Sequence, residues 1–149
     1  MTAPSNIKTD INELLEAQPE LGYQGWRLPH LTNDEFAESR QLLARAIEPL
    51  NLCTRVFNDP RFMDKFKGVR GGYYLKHIVE VWDFNPSYSK SYGRRRPKLI
   101  ESREYNGLYV AEGVAVAAAL IAGYVVERRA SRGSGSLITV PRATKRSED

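Results

Sequence analysis

The chain has 149 residues and a formal net charge of +4, with 42% hydrophobic and 27% charged residues. This composition excludes a wholly disordered chain, and the length predicts a single domain, residues 1–149, with a sizeable core. The longest uncharged stretch in the second half, residues 113–126, has 14 residues, fewer than the roughly 20 needed to cross a bilayer.

The first third of the chain predicts two helices joined by an irregular connection. Either Thr9 or Asp10 can cap the first helix, which we expect to end near Ala17. Glycine and proline in residues 21–31 predict the irregular connection. The second helix is expected to begin with a capping box opened by Thr32.

Proline and glycine mark the next boundaries. Pro49 is expected to end or kink the second helix, after which residues 50–57 can resume as a helix. Asp59 followed by Pro60 is typical of a helix start, and Gly68 is expected to end that helix.

Residues 73–82 allow two interpretations. Leu75, Ile78 and Trp82 recur at helical spacing, whereas the aromatic and β-branched content also suits a strand. We favour a helix.

The C-terminal part predicts a buried helix followed by a hairpin. Residues 107–122 are rich in alanine and nearly apolar all round, which is typical of a central helix, and Gly123 stands where a C-terminal cap belongs. Residues 124–127 and 137–140 form two strand-like runs. The expected fold is therefore α+β: a mainly helical bundle around the Ala-rich helix, with a C-terminal β-hairpin in a winged-helix-like arrangement.

Charge is unevenly distributed along the chain. Residues 1–84 have a net charge of −2 and residues 85–149 a net charge of +6, an asymmetry typical of a polyanion-binding protein and also of ordinary surface solvation. Residues 85–100 predict a long basic loop, residues 128–136 a basic hairpin tip, and residues 141–149 a mobile tail.

The basic loop and the hairpin tip are the candidate site. Guanidinium groups fit phosphate oxygens, and a tyrosine can stack on a base. The alternatives are a solvated loop and a plain surface hairpin. The helix before the hairpin has almost no polar side chains to read base edges, so we expect contacts with the phosphate backbone only. The predicted nucleic-acid-binding residues are Tyr92, Arg94, Arg95, Arg96, Lys98, Arg128, Arg129 and Arg132.

The sequence gives no positive support for an enzyme. His77 and Glu80 share a helical face, but we interpret Lys76 and Glu80 as a surface ion pair, not as part of a metal site or proton relay. Cys53, the single cysteine, excludes an intramolecular disulfide and is expected to be a buried, inert thiol. Without a nucleotide-binding or catalytic motif or a signal peptide, we predict a cytoplasmic protein with no catalytic residues, no metal and no cofactor.

A resemblance covers about residues 73–126. Residues 74–80, Gly113, residues 117–119, Gly123 and Tyr124 resemble short, uncharacterised accessory proteins of bacterial phages and plasmids. The resemblance implies that the chain binds nucleic acid or blocks a host defence complex, and it assigns no functional residue.

Two functions follow as hypotheses. The first is a non-enzymatic nucleic-acid-binding module that contacts the phosphate backbone. The alternative is a phage- or plasmid-encoded inhibitor or adaptor that binds a host protein or nucleoprotein complex. The net charge of −4 on residues 1–51 suits this alternative, because an acidic face can occupy a basic nucleic-acid channel.

Overall fold

A computed structural model describes residues 6–82, 109–129 and 135–143. These residues form helices and two small antiparallel sheets, so the fold is α+β as predicted. None of the helices within the described ranges has the length and apolar composition needed to cross a bilayer.

Helix α1 (Ile7–Ala17) begins earlier than the sequence predicted. Its N-cap is Asn6, whose side-chain oxygen accepts hydrogen bonds from the backbone N–H groups of Lys8 and Thr9 at 3.0 and 3.3 Å. The prediction that Thr9 or Asp10 caps the helix is wrong, because Asn6 already satisfies the free donors of the first turn.

The connection after α1 contains regular structure that the sequence did not predict. Strands β1 (Leu21–Gly22) and β2 (Gly25–Trp26) pair as a short antiparallel hairpin. The Trp26 indole N–H donates to Ser136 Oγ at 2.6 Å, so this hairpin is tied to the C-terminal part of the chain.

Helices α2 (Asn33–Arg45) and α3 (Ile47–Phe57) are separated only by Ala46. The capping box at Thr32 is confirmed. Pro49 was predicted to end or kink the second helix, but α2 already ends at Arg45. Pro49 lies in the first turn of α3, where backbone N–H groups have no acceptor within the helix and a missing donor costs little.

Helix α4 (Pro60–Phe66) confirms the start predicted at Asp59 and Pro60. Strand β3 (Gly68–Gly71) follows at once, where the sequence predicted only a helix end and a glycine-rich connection. Sequence patterning missed β3 because it is four residues long, has a glycine at each end and is stabilised by a partner strand far along the chain.

Helix α5 (Gly72–Val81) resolves the ambiguity of residues 73–82 in favour of a helix. Leu75, Ile78 and Trp82 are buried, as their helical spacing predicted.

Helix α6 (Glu112–Ile121) is the predicted Ala-rich central helix, and it packs against α1, α3 and α5. Residues 113–119 are all buried. The helix begins at Glu112, later than the predicted residue 107, since Ala111 is extended and serves as the N-cap. Gly123 ends it as predicted, with a φ of 90° that favours glycine.

Strands β4 (Val125–Arg128) and β5 (Ser136–Val140) confirm the C-terminal hairpin. Strand β5 lies between β3 and β4, and both pairings are antiparallel. The described elements follow the order α3–α4–β3–α5–α6–β4–β5, with residues 82–111 between α5 and α6. The winged-helix-like arrangement stays a prediction.

Cys53 is fully buried in the core, as expected. Burial raises the pKa of its thiol, and the nearby Glu80 adds to this rise. The reactive thiolate is therefore disfavoured at neutral pH.

Candidate nucleic-acid interface

Two of the predicted nucleic-acid-binding residues lie in the described part of the chain. Arg128 is the last residue of β4 and Arg129 follows it, and both are exposed. The hairpin tip that was predicted to begin at residue 128 therefore starts one residue later, because Arg128 still pairs with Ser136. The other predicted residues, which lie outside the described residues together with loop 85–100 and the end of tail 141–149, are Tyr92, Arg94, Arg95, Arg96, Lys98 and Arg132.

The two arginines differ in how firmly they are held. Arg128 donates from Nη2 to the backbone carbonyl of Arg27, and its guanidinium carbon lies 6.0 Å from the Trp26 ring. The backbone N–H of Arg129 donates to the carbonyl of Gly135 at 3.0 Å and closes the base of the hairpin. The exposed Arg128 side chain thus contacts Arg27 and Trp26 of the same chain, whereas Arg129 is the last described residue before the tip.

A half-buried carboxylate lies beside the base of this hairpin. Glu112 is the first residue of α6, and no described residue donates a hydrogen bond to its buried Oε2. Burial raises the pKa of Glu112, a rise opposed by a hydrogen bond from the Ser136 backbone. The charges of Lys76 and Arg129 oppose it further. A Cβ added at Gly72 would come within 3.1 Å of Oε2, so α5 begins directly against this carboxyl group.

Glu112→Gln should stabilise the protein more at pH 7 than at pH 4. Because the pKa of Glu112 is raised on folding, the native state binds its proton more tightly than the unfolded state. The contribution of Glu112 to the free energy of unfolding is therefore fully present below its pKa in the unfolded state. It falls as pH rises through its pKa in the folded state. Glutamine removes that loss, so the difference in Tm between variant and wild type should grow with pH.

The matched control is Glu127→Gln, an exposed glutamate on the neighbouring strand β4. This control should show a Tm difference that changes little between the two pH values. If Glu112→Gln instead lowers Tm increasingly as pH rises, attraction to Lys76 and Arg129 outweighs burial and the account of this group is wrong.

Lys76, His77 and Glu80 form a polar cluster on α5. Lys76 Nζ lies 3.5 Å from a Glu80 carboxylate oxygen, and His77 Nδ1 lies 3.0 Å from the other. The ion pair was predicted correctly, but its surface location was not: Lys76 is only 5% exposed. The Glu80 carboxylate also accepts the backbone N–H of Val110 at 2.9 Å, so the cluster holds the chain leading into α6 against α5.

No group of three or more potential metal ligands occurs within residues 6–82, 109–129 and 135–143. That His77 and Glu80 form neither a metal site nor a proton relay stays a prediction.

Both predicted basic segments return to the described structure at one edge of the molecule. The segment containing loop 85–100 returns at Tyr109, whose ring centroid lies 4.8 Å from Lys76 Nζ. The hairpin leaves at Arg129 and returns at Gly135, where an added Cβ would lie 3.9 Å from Glu112 Oε2. Glu112 lies close to Gly135 and is acted on by the charge of Lys76, which contacts Tyr109. We call the region of Gly72, Tyr109, Glu112, Arg129 and Gly135 the α6 edge.

A second feature, a groove between the β1–β2 hairpin and α2, was not predicted as a site. It has a volume of about 260 Å³ and is lined by aromatic and aliphatic side chains, including Tyr23, Trp26, Phe36 and Leu42. Leu42 is 46% exposed. The signal in the sequence was the aromatic content of residues 21–31, a stretch that we interpreted only as an irregular connection.

The arginine side chains near the groove make contacts within the protein. The Arg27 guanidinium lies 4.9 Å from the Phe36 ring centroid and donates to the Leu31 carbonyl at 3.0 Å. Arg40 donates to the carbonyls of Leu15, Gln18 and Leu21. Glu35 and Glu38 line the groove and are exposed. The outer face of the groove is consequently acidic.

No protein-family model, curated protein or solved structure matches the chain. The resemblance to phage and plasmid accessory proteins stays a prediction.

Proposed function

We propose that the protein is a non-enzymatic nucleic-acid-binding module that contacts the phosphate backbone. The loop residues Arg94, Arg95 and Arg96 and the hairpin arginines act together, and the α6 edge positions both segments. Guanidinium groups suit this task because their planar donors match phosphate oxygens.

One observation carries the proposal: two segments far apart in the sequence, each containing three clustered arginines, return to the same edge. Arginines that act together at one edge would raise the local concentration of a polyanion far more than the same charges spread over a surface. The sheet supports the proposal, since both strands of the β4–β5 hairpin contact the central helix α6.

The burial of α6 favours backbone contacts over base reading. A recognition helix needs exposed polar side chains that reach base edges in the major groove. Residues 113–119 of α6 are buried and apolar, so this helix has no such side chains to offer. We therefore expect similar affinity for nucleic acids of different sequence.

The test is the salt dependence of DNA binding in charge variants. Each neutralised phosphate releases condensed counterion, so log affinity should fall linearly with log salt concentration. Replacing Arg94, Arg95 and Arg96 with alanine should reduce the slope by up to about three units. Arg129→Ala should reduce it by up to about one unit more. Fluorescence anisotropy with labelled DNA measures both effects.

A matched control removes the same charge elsewhere. Lys8, Arg45 and Lys65 are exposed and lie on α1, α2 and α4, away from the hairpin in the sequence and in element. Their triple alanine variant should leave the slope almost unchanged. An equal loss of slope in both triple variants would show that net charge, not the α6 edge, attracts the DNA.

A second candidate function, binding to a host protein as an inhibitor or adaptor, is favoured by the groove. Its apolar lining and the exposed Glu35 and Glu38 suit a partner segment that is both apolar and basic. A folded sample that fails to bind DNA even at low salt would favour this function over the first.

A further inference from the structure

Two exposed tyrosine rings lie close to the same buried cation, Lys76. Tyr73, in the first turn of α5, is 62% exposed, and Tyr109, just before α6, is 57% exposed. The Lys76 Nζ lies 5.2 Å from the centroid of the first ring and 4.8 Å from that of the second. Both rings therefore present a large aromatic surface to solvent while contacting one ammonium group.

Contacts with Glu80 and His77 hold Tyr73 and Tyr109 in position. Glu80 binds Lys76 and also binds the backbone of Val110, the neighbour of Tyr109. The His77 ring packs edge-on against Tyr73, with centroids 4.5 Å apart. Both rings are therefore presented by ordered backbone, which lowers the entropy lost when a flat ligand stacks on them.

The tyrosines adjoin the proposed phosphate-binding region. Gly72, the residue before Tyr73, abuts Glu112, and the charge of Arg129 acts on the same carboxyl group. Gly72, which precedes Tyr73, and Arg129 thus both lie close to Glu112. This combination of stacking surface and positive charge is what single-stranded nucleic acids require of a binding protein.

We propose that Tyr73 and Tyr109 form a stacking platform for unpaired bases, and that single-stranded nucleic acid is the preferred ligand of the α6 edge. This inference rests on the proposed function and specifies its ligand. In a duplex, neighbouring base pairs cover the faces of each base, so the rings have nothing to stack on. In a single strand the faces are free, while phosphates remain available to the arginines. Every base has a π-face, so sequence preference should be weak.

The experiment compares an oligo-dT single strand with a duplex of equal length in anisotropy titrations at low salt. Tyr73→Ala and Tyr109→Ala should each weaken binding of the single strand about 5- to 150-fold. Duplex binding should change little. Tyr73→Phe and Tyr109→Phe should retain single-strand affinity, because stacking needs the ring and not the hydroxyl.

The matched control is Tyr74→Ala. Tyr74 neighbours Tyr73 and is 45% exposed, but its ring packs edge-on against Phe66 instead of Lys76. This variant should keep single-strand affinity, and a melting curve for each variant checks that it is folded.

The outcomes separate the two proposals. If the arginine variants lose salt-dependent binding while Tyr73→Ala and Tyr109→Ala bind the single strand like wild type, the platform is refuted and the proposed function stands. If wild type binds neither probe at low salt, both proposals fail. If Tyr74→Ala loses as much affinity as Tyr73→Ala, specific stacking at the platform is also refuted.

Discussion

Ala118→Asp should destabilise the protein severely. Ala118 lies in the middle of α6 and is fully buried among apolar residues. An unpaired carboxylate there should cost about 3–5 kcal/mol, a large part of the 5–15 kcal/mol that typically stabilises a domain. Thermal melting followed by circular dichroism should show Tm lowered by about 10 °C or more.

Ala37→Asp is the control for this change. Ala37 is exposed and lies in the N-terminal half of α2, so its replacement introduces the same charge without burying it. This variant should melt within a few degrees of wild type. A similarly small change for Ala118→Asp would show that α6 is not the central helix.

Gly113→Ala should be the second severe change, although it adds only a methyl group. A Cβ at Gly113 would lie 1.9 Å from the Gly22 carbonyl oxygen and 2.5 Å from that of Tyr23. Both are backbone atoms, so the β1–β2 hairpin would have to move away from α6. The hydrogen bond from the Gly113 N–H to the Tyr23 carbonyl, 2.9 Å long, would be lost with that movement. We expect a loss of about 3 kcal/mol in the free energy of unfolding, measured by urea titration.

Gly71→Ala tests whether the effect is specific. Gly71 has an ordinary φ of −74° and nothing within 4 Å of an added Cβ. Alanine should therefore cost no more than about 1 kcal/mol there, because Gly71 is the N-cap of α5 and alanine suits that position less well than glycine. Equal losses in the two variants would contradict close packing of the hairpin on α6.

The sequence predicted those elements whose signals are local. The capping box at Thr32, the start at Asp59 and Pro60, and the end of α6 at Gly123 each depend on contacts within a few residues. Helix α6 could also be predicted from the sequence, because an apolar segment with one charged residue is expected to lie in the core. The α+β fold followed from these local signals.

Long-range pairing defeated the same reasoning. Strand β3 exists because β5 pairs with it, and the β1–β2 hairpin is held partly by the bond from Trp26 to Ser136. The burial of Lys76 was missed for a similar reason. Helical spacing identified its pairing with Glu80. The spacing did not predict that Tyr109 and Val110 pack over α5 and help to bury the pair.

The candidate site shows the same division. Composition alone identified the arginine clusters, since charge runs are visible in sequence. The platform could not be found that way, because Tyr73 and Tyr109 are brought together by the chain entering α6 and neither has a motif around it.

The most direct measurement is a backbone amide NMR titration of the full chain with oligo-dT. We predict the largest shift changes at the α6 edge, in residues 72–77, 109–112 and 126–129, with further changes in 135–137. The chemical shifts of the amides of α1 and α2 should not change. Shift changes confined to α1, α2 and the groove at Leu42, or none at low salt, would contradict the proposal that this edge binds nucleic acid.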